Sequence, residues 1–190
     1  MAEITRHELV IALIQSSGQP RLAGLDLSGL NLAGLDLRHA TLCRANLAGA
    51  NLHQALLANA DLTDANLTNA RLTETDLDSA VIVRANLTGA NLTSANLHAA
   101  NLTSADLTNA DLTGANLREA HLNQARLSQS VFTLANLTNA QLIGARMHGA
   151  VLTDTIFLRA DLTGAQVTLQ QLRSAETLNE ARLPKDPPTN

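Results

Sequence analysis

The amino-acid sequence predicts an all-β solenoid, a rod built from one short unit repeated along its axis. An apolar residue occupies every fifth position from Leu22 to Val167 without interruption, and most of these residues are leucine. The residue two places before it is usually alanine, and the residue directly before it is usually asparagine or aspartate. Self-similarity at a fixed spacing is the signature of a repeat architecture.

A period of five residues excludes both a continuous helix and a flat strand. Residues five apart turn by about 140° on an α-helix, so the apolar side chains would be spread around its whole circumference. On a strand, an odd spacing would place successive leucines on opposite faces. We therefore expect the chain to bend once in every unit.

Glycine indicates where the chain bends. Nine of the ten glycines lie two residues after the central apolar residue, and asparagine takes this slot in four other units. Both residues tolerate turn conformations that other residues resist. With a bend there, the central apolar residue and the alanine two places before it point inward, and the other three residues point outward.

These tandem units resemble the pentapeptide-repeat family, whose motif is A-(D/N)-L-x-x. The resemblance covers residues 22–167 and is carried by units such as Ala45-Asn46-Leu47, Ala60-Asp61-Leu62 and Ala110-Asp111-Leu112. It implies a right-handed quadrilateral β-helix with four units per coil. About seven and a half coils, spaced by about 4.8 Å, would give a rod roughly 36 Å tall.

Within residues 22–167, six inward slots hold a residue other than alanine. Three carry a small hydroxylated residue there: Thr75, Ser130 and Thr155. We expect a backbone carbonyl to accept a hydrogen bond from each of these hydroxyls. Three units of the first coil carry leucine instead: Leu25, Leu30 and Leu35. These predict a first coil that is wider or that abuts a cap.

Residues 1–21 are predicted to form an N-terminal capping helix and turn. Thr5 and Glu8 have the spacing of a capping box, with Ile4 and Leu9 as its hydrophobic staple. The apolar side of the helix would consist of Val10, Ile11, Leu13 and Ile14, and Gly18 and Pro20 would end it. Such a helix would cover the first leucine layer.

Residues 168–183 are predicted to form a C-terminal capping helix and turn. Thr168 and Gln171 form a second capping box, with Val167 and Leu172 as the staple. An uncovered terminal coil would present strand edges and apolar side chains, so two caps keep the rod finite. Residues 184–190, which contain Pro187-Pro188, are predicted to form a disordered tail.

Composition is typical of one domain with an aliphatic core. The chain has 190 residues, of which 45% are apolar but only two are aromatic. Its longest apolar run, residues 9–14, is too short for a membrane span and follows Glu3 and Glu8 instead of basic residues. We expect a cytoplasmic protein, and the single Cys43 is consistent with a reducing compartment.

The four units per coil that the resemblance implies make outward residues n and n+20 neighbours, which predicts two charged ladders. Arg44, Asp64 and Arg84 alternate in sign at one corner, and Asp78, His98 and Arg118 line up on another wall. The second ladder has the residue types of an acid–base or metal site. However, no nucleophile lies beside His98, and the six histidines fall on different walls or in the cap, whereas a metal needs three or four converging ligands. We predict a surface charge ladder, and no catalytic, cofactor or metal site.

The family resemblance implies one specific activity, the regulation of type II topoisomerases by an acidic rod that mimics DNA. A duplex 36 Å long carries about twenty phosphate charges. Residues 22–167 contain twelve acidic residues and eight arginines, which leaves a net charge of −4, and the two signs are interleaved. The sequence therefore predicts weak mimicry at most.

Outward slots near the C-terminal end become apolar. They are occupied by Val131, Leu134, Val151, Ile156 and Leu158, with Ile143 on another wall. Apolar clusters on a polar surface mark partner or self-association sites. Alternatively, the C-terminal tail folds back, and Leu178 or Leu183 covers the cluster. The sequence leaves both possibilities open.

Together these features predict a non-enzymatic structural scaffold or protein-binding module. Its partner would be another protein, with no direct binding of nucleic acid or membrane. The chain itself would be a monomer or a weak homodimer. A DNA-mimicking regulator of gyrase is the alternative function.

Overall fold

The chain forms a four-walled parallel β-helix. Its structure is a computed structural model that describes residue 5, residues 7–10, residues 20–185 and residue 187. Parallel bridges join residues 20 positions apart, from Arg21↔Thr41 to Arg146↔Gln166. Four units therefore complete one coil. We number the walls 1 to 4 after the units centred on Leu22, Leu27, Leu32 and Leu37.

Backbone hydrogen bonds between coils hold the walls together, as the unit of Leu42 illustrates. The Leu42 N–H donates to the Asp61 carbonyl at 2.7 Å, and the Arg44 N–H donates to the Thr63 carbonyl at 2.9 Å. A turn follows at once, in which the Ala45 N–H donates to the Leu42 carbonyl at 3.0 Å. Because every unit turns so soon, the described residues pair through isolated bridges and not through longer strands.

Each corner contains a residue in the left-handed backbone region. Every fifth residue from Gly24 to Gly164 has φ between +52° and +70°. Nine of these residues are glycine, but Ala99 (φ 52°) and Leu134 (φ 61°) adopt the same conformation. The bend predicted from glycine and asparagine is therefore confirmed, and it is imposed on every residue type in this slot.

The asparagine or aspartate before each central leucine stabilises its own turn. The Thr68 N–H donates to Asn66 Oδ1 at 3.2 Å, and the Thr113 N–H donates to Asp111 Oδ1 at 2.9 Å. Some of these side chains also link coils, since Asn66 Nδ2 donates to Asn46 Oδ1 at 3.1 Å. The (D/N) position of the motif is thus explained by local hydrogen bonding.

The interior is a stack of aliphatic layers. The central apolar residues and the inward alanines are between 0% and 5% exposed, as the inward placement predicts. Phe132 and Phe157, the largest interior side chains, are fully buried.

Each inward hydroxyl finds a carbonyl, as expected. Thr75 Oγ1 donates to the Leu52 carbonyl at 2.8 Å, and Thr155 Oγ1 donates to the Phe132 carbonyl at 2.8 Å. Ser130 Oγ donates to the Leu127 carbonyl, three residues earlier, at 2.6 Å. All three hydroxylated residues are fully buried and satisfied.

The first coil contacts the N-terminal segment. Residues 7–10 are helical, and Leu9 is fully buried in the same core cluster as Leu22. The expected capping box is present, because the Thr5 N–H donates to Glu8 Oε2 at 2.7 Å and the Glu8 N–H donates to Thr5 Oγ1 at 3.2 Å. The three leucines at the inward slots of the first coil are only half-buried against the core: Leu25, Leu30 and Leu35. The other predicted cap residues lie outside the described residues: Ile4, Ile11, Leu13, Ile14 and Gly18.

The C-terminal helix, Leu169–Arg173, has the expected capping box between Thr168 and Gln171. This helix replaces the wall-3 unit of the last coil. The last coil is therefore one residue longer than the coils before it. Ile156 therefore pairs with Thr177 and Asp161 with Arg182, each 21 positions along the chain. Bridging thus continues past the predicted boundary at residue 167.

Gln171 joins this helix to the preceding coil. Its Nε2 donates to the carbonyls of Met147, at 2.7 Å, and Ala150, at 2.9 Å. Further on, Pro184 and Pro187 are half-buried, and residues 186 and 188–190 of the predicted tail lie outside the described residues.

Replacing the inward Ala90 with leucine tests the tightness of the core. Ala90 is 1% exposed, and overpacking a well-filled interior costs about 1–3 kcal/mol. We expect Ala90→Leu to lower the free energy of unfolding by that amount or more, measured by urea and thermal denaturation. The outward Thr93→Ala should change it by less than about 0.5 kcal/mol. Equal stability of the parent and Ala90→Leu would contradict the inward placement.

Gly164→Ala isolates the conformational cost of the corner. Gly164 has φ +68°, and a Cβ atom there would meet nothing within 4 Å. We expect Gly164→Ala to lower the free energy of unfolding by about 1–2 kcal/mol, since the left-handed region penalises a Cβ atom by that amount. Ala99→Gly is the reciprocal control and should be neutral or stabilising in the same denaturation experiment, because it relieves the same strain. A silent Gly164→Ala would show that the corners are not strained.

Candidate functional site

Five apolar residues around one corner form the candidate site, and we call them the C-terminal apolar patch: Val131, Leu134, Val151, Ile156 and Leu158. Val131 and Val151 are bridge partners on wall 3. Val131 is half-buried, whereas Val151 is 43% exposed. Leu134 is at the corner that follows wall 3 and is 60% exposed.

Ile156 and Leu158 continue the patch on wall 4. The Ile156 N–H donates to the carbonyl of Ala135, the residue after Leu134, at 2.9 Å. Ile156 and Leu158 are both half-buried. The structure therefore places the five predicted site residues on two adjoining walls and the corner between them, in two successive coils. Ile143, which is 40% exposed, lies on wall 1, away from this corner.

The C-terminal segment leaves the patch uncovered over the described residues. Leu178 packs against the interior on wall 4, one coil after Phe157. It is only half-buried, because it lies at the end of the rod. Leu183 follows Arg182 on wall 1 and remains 40% exposed. Neither leucine covers the patch, although the sequence allowed that possibility.

Arginines line the wall on one side of the patch. Arg126 and Arg146 are bridge partners on wall 2, one unit before Val131 and Val151. Arg126 Nε lies 3.3 Å from Asp106 Oδ2, whereas Arg146 makes no ion pair with any described residue. Asp154, which is exposed, lies within the patch, at the corner between Val151 and Ile156 and one coil after Leu134. Sequence reasoning missed these arginines, although a count of charges per coil could have found them.

The His98 ladder has a different partner from the one expected. His98 Nδ1 lies 2.7 Å from Asp78 Oδ1, as predicted. The second charged neighbour of the ring is Glu119, whose Oε2 is 4.0 Å from Nε2, and not Arg118. Among the described residues, no group of three or more histidine, cysteine, aspartate or glutamate side chains could hold a metal ion.

Some of the acidic side chains are paired with arginines. Arg84 forms a bidentate contact with Asp64, with Nε–Oδ1 at 2.7 Å and Nη2–Oδ2 at 2.8 Å. Hydrogen bonds from Arg84 lower the pKa of Asp64, and those from Arg159 lower the pKa of Glu180. Arg38 pairs with Asp36 in the same way at 2.6 Å. These pairs interrupt any continuous acidic stripe.

The chain belongs to the pentapeptide-repeat family. The family model described as pentapeptide repeats matches eight copies, over residues 21–57, 55–93, 95–133, 110–149 and 130–168. No curated protein matches the chain significantly in sequence. No helix in the described part of the chain has the length and apolarity needed to span a bilayer.

Solved structures of other pentapeptide-repeat proteins are similar to the chain. HetL from the cyanobacterium Nostoc sp. strain PCC 7120, a protein involved in the regulation of heterocyst differentiation, is 34% identical, over 87% of this chain and 77% of HetL, with a TM-score of 0.40. Trypsin-treated QnrB1, a plasmid-mediated fluoroquinolone resistance protein, is 19% identical, over 87% of this chain and 85% of QnrB1, with a TM-score of 0.69. Rfr23 from the cyanobacterium Cyanothece 51142 is 27% identical, over 77% of this chain and 97% of Rfr23, with a TM-score of 0.43.

The Asp64–Arg84 pair predicts a pH-dependent stability. Because Arg84 lowers the pKa of Asp64 in the folded chain, the pair stabilises the fold above the unfolded aspartate pKa of about 3.9. That contribution is lost as the pH falls through the lower, folded pKa. We expect Asp64→Asn to be slightly less stable than the parent at neutral pH. The difference should shrink below pH about 4 in urea denaturation curves recorded at several pH values.

Asp154→Asn is the matched control for this measurement, because Asp154 is exposed and forms no ion pair with any described residue. Its difference from the parent should stay near zero at every pH. A deficit of Asp64→Asn that persisted unchanged into acid would rule out an ionic origin.

Proposed function

We propose that this protein is a non-enzymatic scaffold or protein-binding module that holds a protein partner at the C-terminal apolar patch. The observation that carries the proposal is the exposure of Leu134 and Val151, 60% and 43%, within one cluster that turns a corner of the rod. Apolar residues gathered at one place on a surface are typical of interaction sites.

The rest of the fold supports binding on a convex surface. Inward side chains fill the interior, and the outward positions of each wall form a regular face on which a partner could rest. The scaffold is held by hydrogen bonds in every unit, so the patch residues keep fixed relative positions. Pre-organisation of this kind lowers the entropic cost of association.

The proposal includes no catalytic activity and no cofactor. It places the protein in the cytoplasm, in keeping with its single, unpaired Cys43. The free chain would be a monomer or a weak homodimer, and it would not bind nucleic acid or membrane directly.

Regulation of gyrase by DNA mimicry is the second candidate. The similarity of the fold to QnrB1, a fluoroquinolone resistance protein, favours it. The ion pairs Asp64–Arg84 and Asp36–Arg38 oppose it, because they neutralise carboxylates that a DNA mimic would need. We therefore rank it below the binding module.

Replacing three patch residues together with serine tests the binding module. We expect Val131→Ser, Val151→Ser and Ile156→Ser in one chain to abolish partner capture, since loss of an apolar anchor can cost about 2 kcal/mol or more. Affinity capture with mass spectrometry and analytical sizing would compare the variant with the parent, after circular dichroism has shown that both fold. Val81→Ser, at a 37% exposed valine on wall 1, is the matched control.

An unchanged set of captured proteins and an unchanged mass would exclude the patch as the binding site.

A gyrase supercoiling assay distinguishes the second candidate, DNA mimicry, from the binding module. We expect weak inhibition at most, because paired carboxylates cannot reproduce the charge density of a duplex. Potent inhibition by the parent protein would favour mimicry over the binding module.

A further inference from the structure

We propose that the occupant of the C-terminal apolar patch is an acidic amphipathic protein segment, whose apolar residues lie on the patch and whose carboxylates face Arg126 and Arg146. This inference rests on the proposed function and adds the chemistry of the partner. The observation behind it is the unequal distribution of charge along the rod.

Acidic residues are absent from the part of the sequence that carries most of the patch. Residues 22–119 contain ten acidic residues and five arginines, whereas residues 120–153 contain no aspartate or glutamate. The same interval contains two arginines, Arg126 and Arg146, and two histidines, His121 and His148. One band of the rod is therefore cationic although the whole chain has a net charge of −4.

The two arginines stack on each other on wall 2. They occupy bridge-partner positions, which places their backbones about 4.8 Å apart and keeps two like charges side by side. Asp106 neutralises Arg126, with Nε–Oδ2 at 3.3 Å, but Arg146 has no acidic partner among the described residues. Arg146 is exposed, so its guanidinium is available to a carboxylate from another molecule.

The position of Arg146 relative to the patch fixes the shape of the ligand. Arg146 and Val151 are one unit apart in the same coil, on walls that meet at the Gly149 corner. The Gln129 side chain of the preceding coil lies at this corner, and exposed His148 separates the corner from Arg146. A segment that contacts both Val151 and Arg146 would therefore extend across this corner, over Gln129 and His148. Its apolar and acidic residues would have to lie on adjoining sides, as in an amphipathic segment.

The wall-4 side of the patch has no comparable attraction for acids. Exposed Asp154 stands within the patch, at the corner between Val151 and Ile156, and Arg159, at the corner after wall 4, is already paired with Glu180 at 2.7 Å. Carboxylates of the partner are therefore drawn to the wall-2 side only. This asymmetry predicts one orientation for the bound segment.

Selection from a random library of displayed peptides, about twelve residues long, on the intact protein tests the inference. We expect enrichment of peptides that combine leucine, isoleucine or phenylalanine with aspartate or glutamate. A selected peptide carrying a fluorophore is then titrated by fluorescence anisotropy. Its affinity should fall as salt rises from about 50 to about 500 mM, because the arginine contacts are exposed.

Arg146→Glu should weaken the peptide about tenfold or more, since it replaces attraction with repulsion. Arg146→Lys should retain most of the affinity. Arg71→Glu makes the same change in net charge at an exposed wall-3 arginine three coils before Val131, and it should leave the affinity nearly unchanged. Thermal melting of each variant would verify that it is folded.

The outcomes distinguish this inference from the proposed function. If the triple serine variant loses the peptides while Arg146→Glu keeps them, the patch binds partners but not through acids, and only this inference fails. If the triple serine variant binds as the parent does, the patch itself is wrong. Failure to enrich any peptide, or enrichment of basic ones, overturns the acidic partner. So does a dimer in sedimentation velocity that disappears in the triple serine variant, because the occupant is then a second copy.

Discussion

The left-handed residue at the corner of every unit is the constraint on which the rest of the structure depends. It costs about 1–2 kcal/mol wherever the residue has a Cβ atom, as at Ala99 and Leu134. Each unit also makes several backbone hydrogen bonds to neighbouring coils, and each contributes about 0.5–1.5 kcal/mol. Because these bonds form only when every corner is made, the strain is outweighed and the slot accepts many residue types.

The same corners determine what the surface can do. Side chains that share a wall come from positions twenty residues apart, so charge pairs such as Asp64–Arg84 and apolar pairs such as Val131–Val151 are created by stacking. The interior is filled by leucine and alanine, and any function therefore belongs to outward side chains. A binding site on this fold is therefore defined by which side chains occupy the regularly spaced outward positions of neighbouring coils.

Much of the fold follows from the sequence because the period is strict. The inward leucines, the corner slot and the inward hydroxyl of Thr75 could be placed from spacing alone, whereas the stacking of the patch residues also required the four units per coil that the family resemblance implies. Glu119 could not, because it stands at a corner, 21 positions after His98, and approaches the ring only through its side-chain conformation.

The C-terminal coil escaped prediction for a related reason. A helical turn in place of one unit adds a residue, so the inward position after Leu172 is Leu178 and not Thr177. A strict five-residue period does not predict this extra residue. The sequence alone therefore could not show whether the C-terminal segment covers the patch.

The stacking register also limits how such a chain can change its length. Loss of five residues from the middle would keep every leucine inside and every corner intact. However, everything beyond the deletion would rotate by a quarter turn, and Arg146 and Val151 would face new directions relative to the N-terminal coils. Only an insertion or deletion of a whole twenty-residue coil preserves the alignment of both halves. A change in length of five residues therefore preserves the fold, whereas only a change of twenty residues preserves the arrangement of the surface. Related chains could share the fold and present different surfaces.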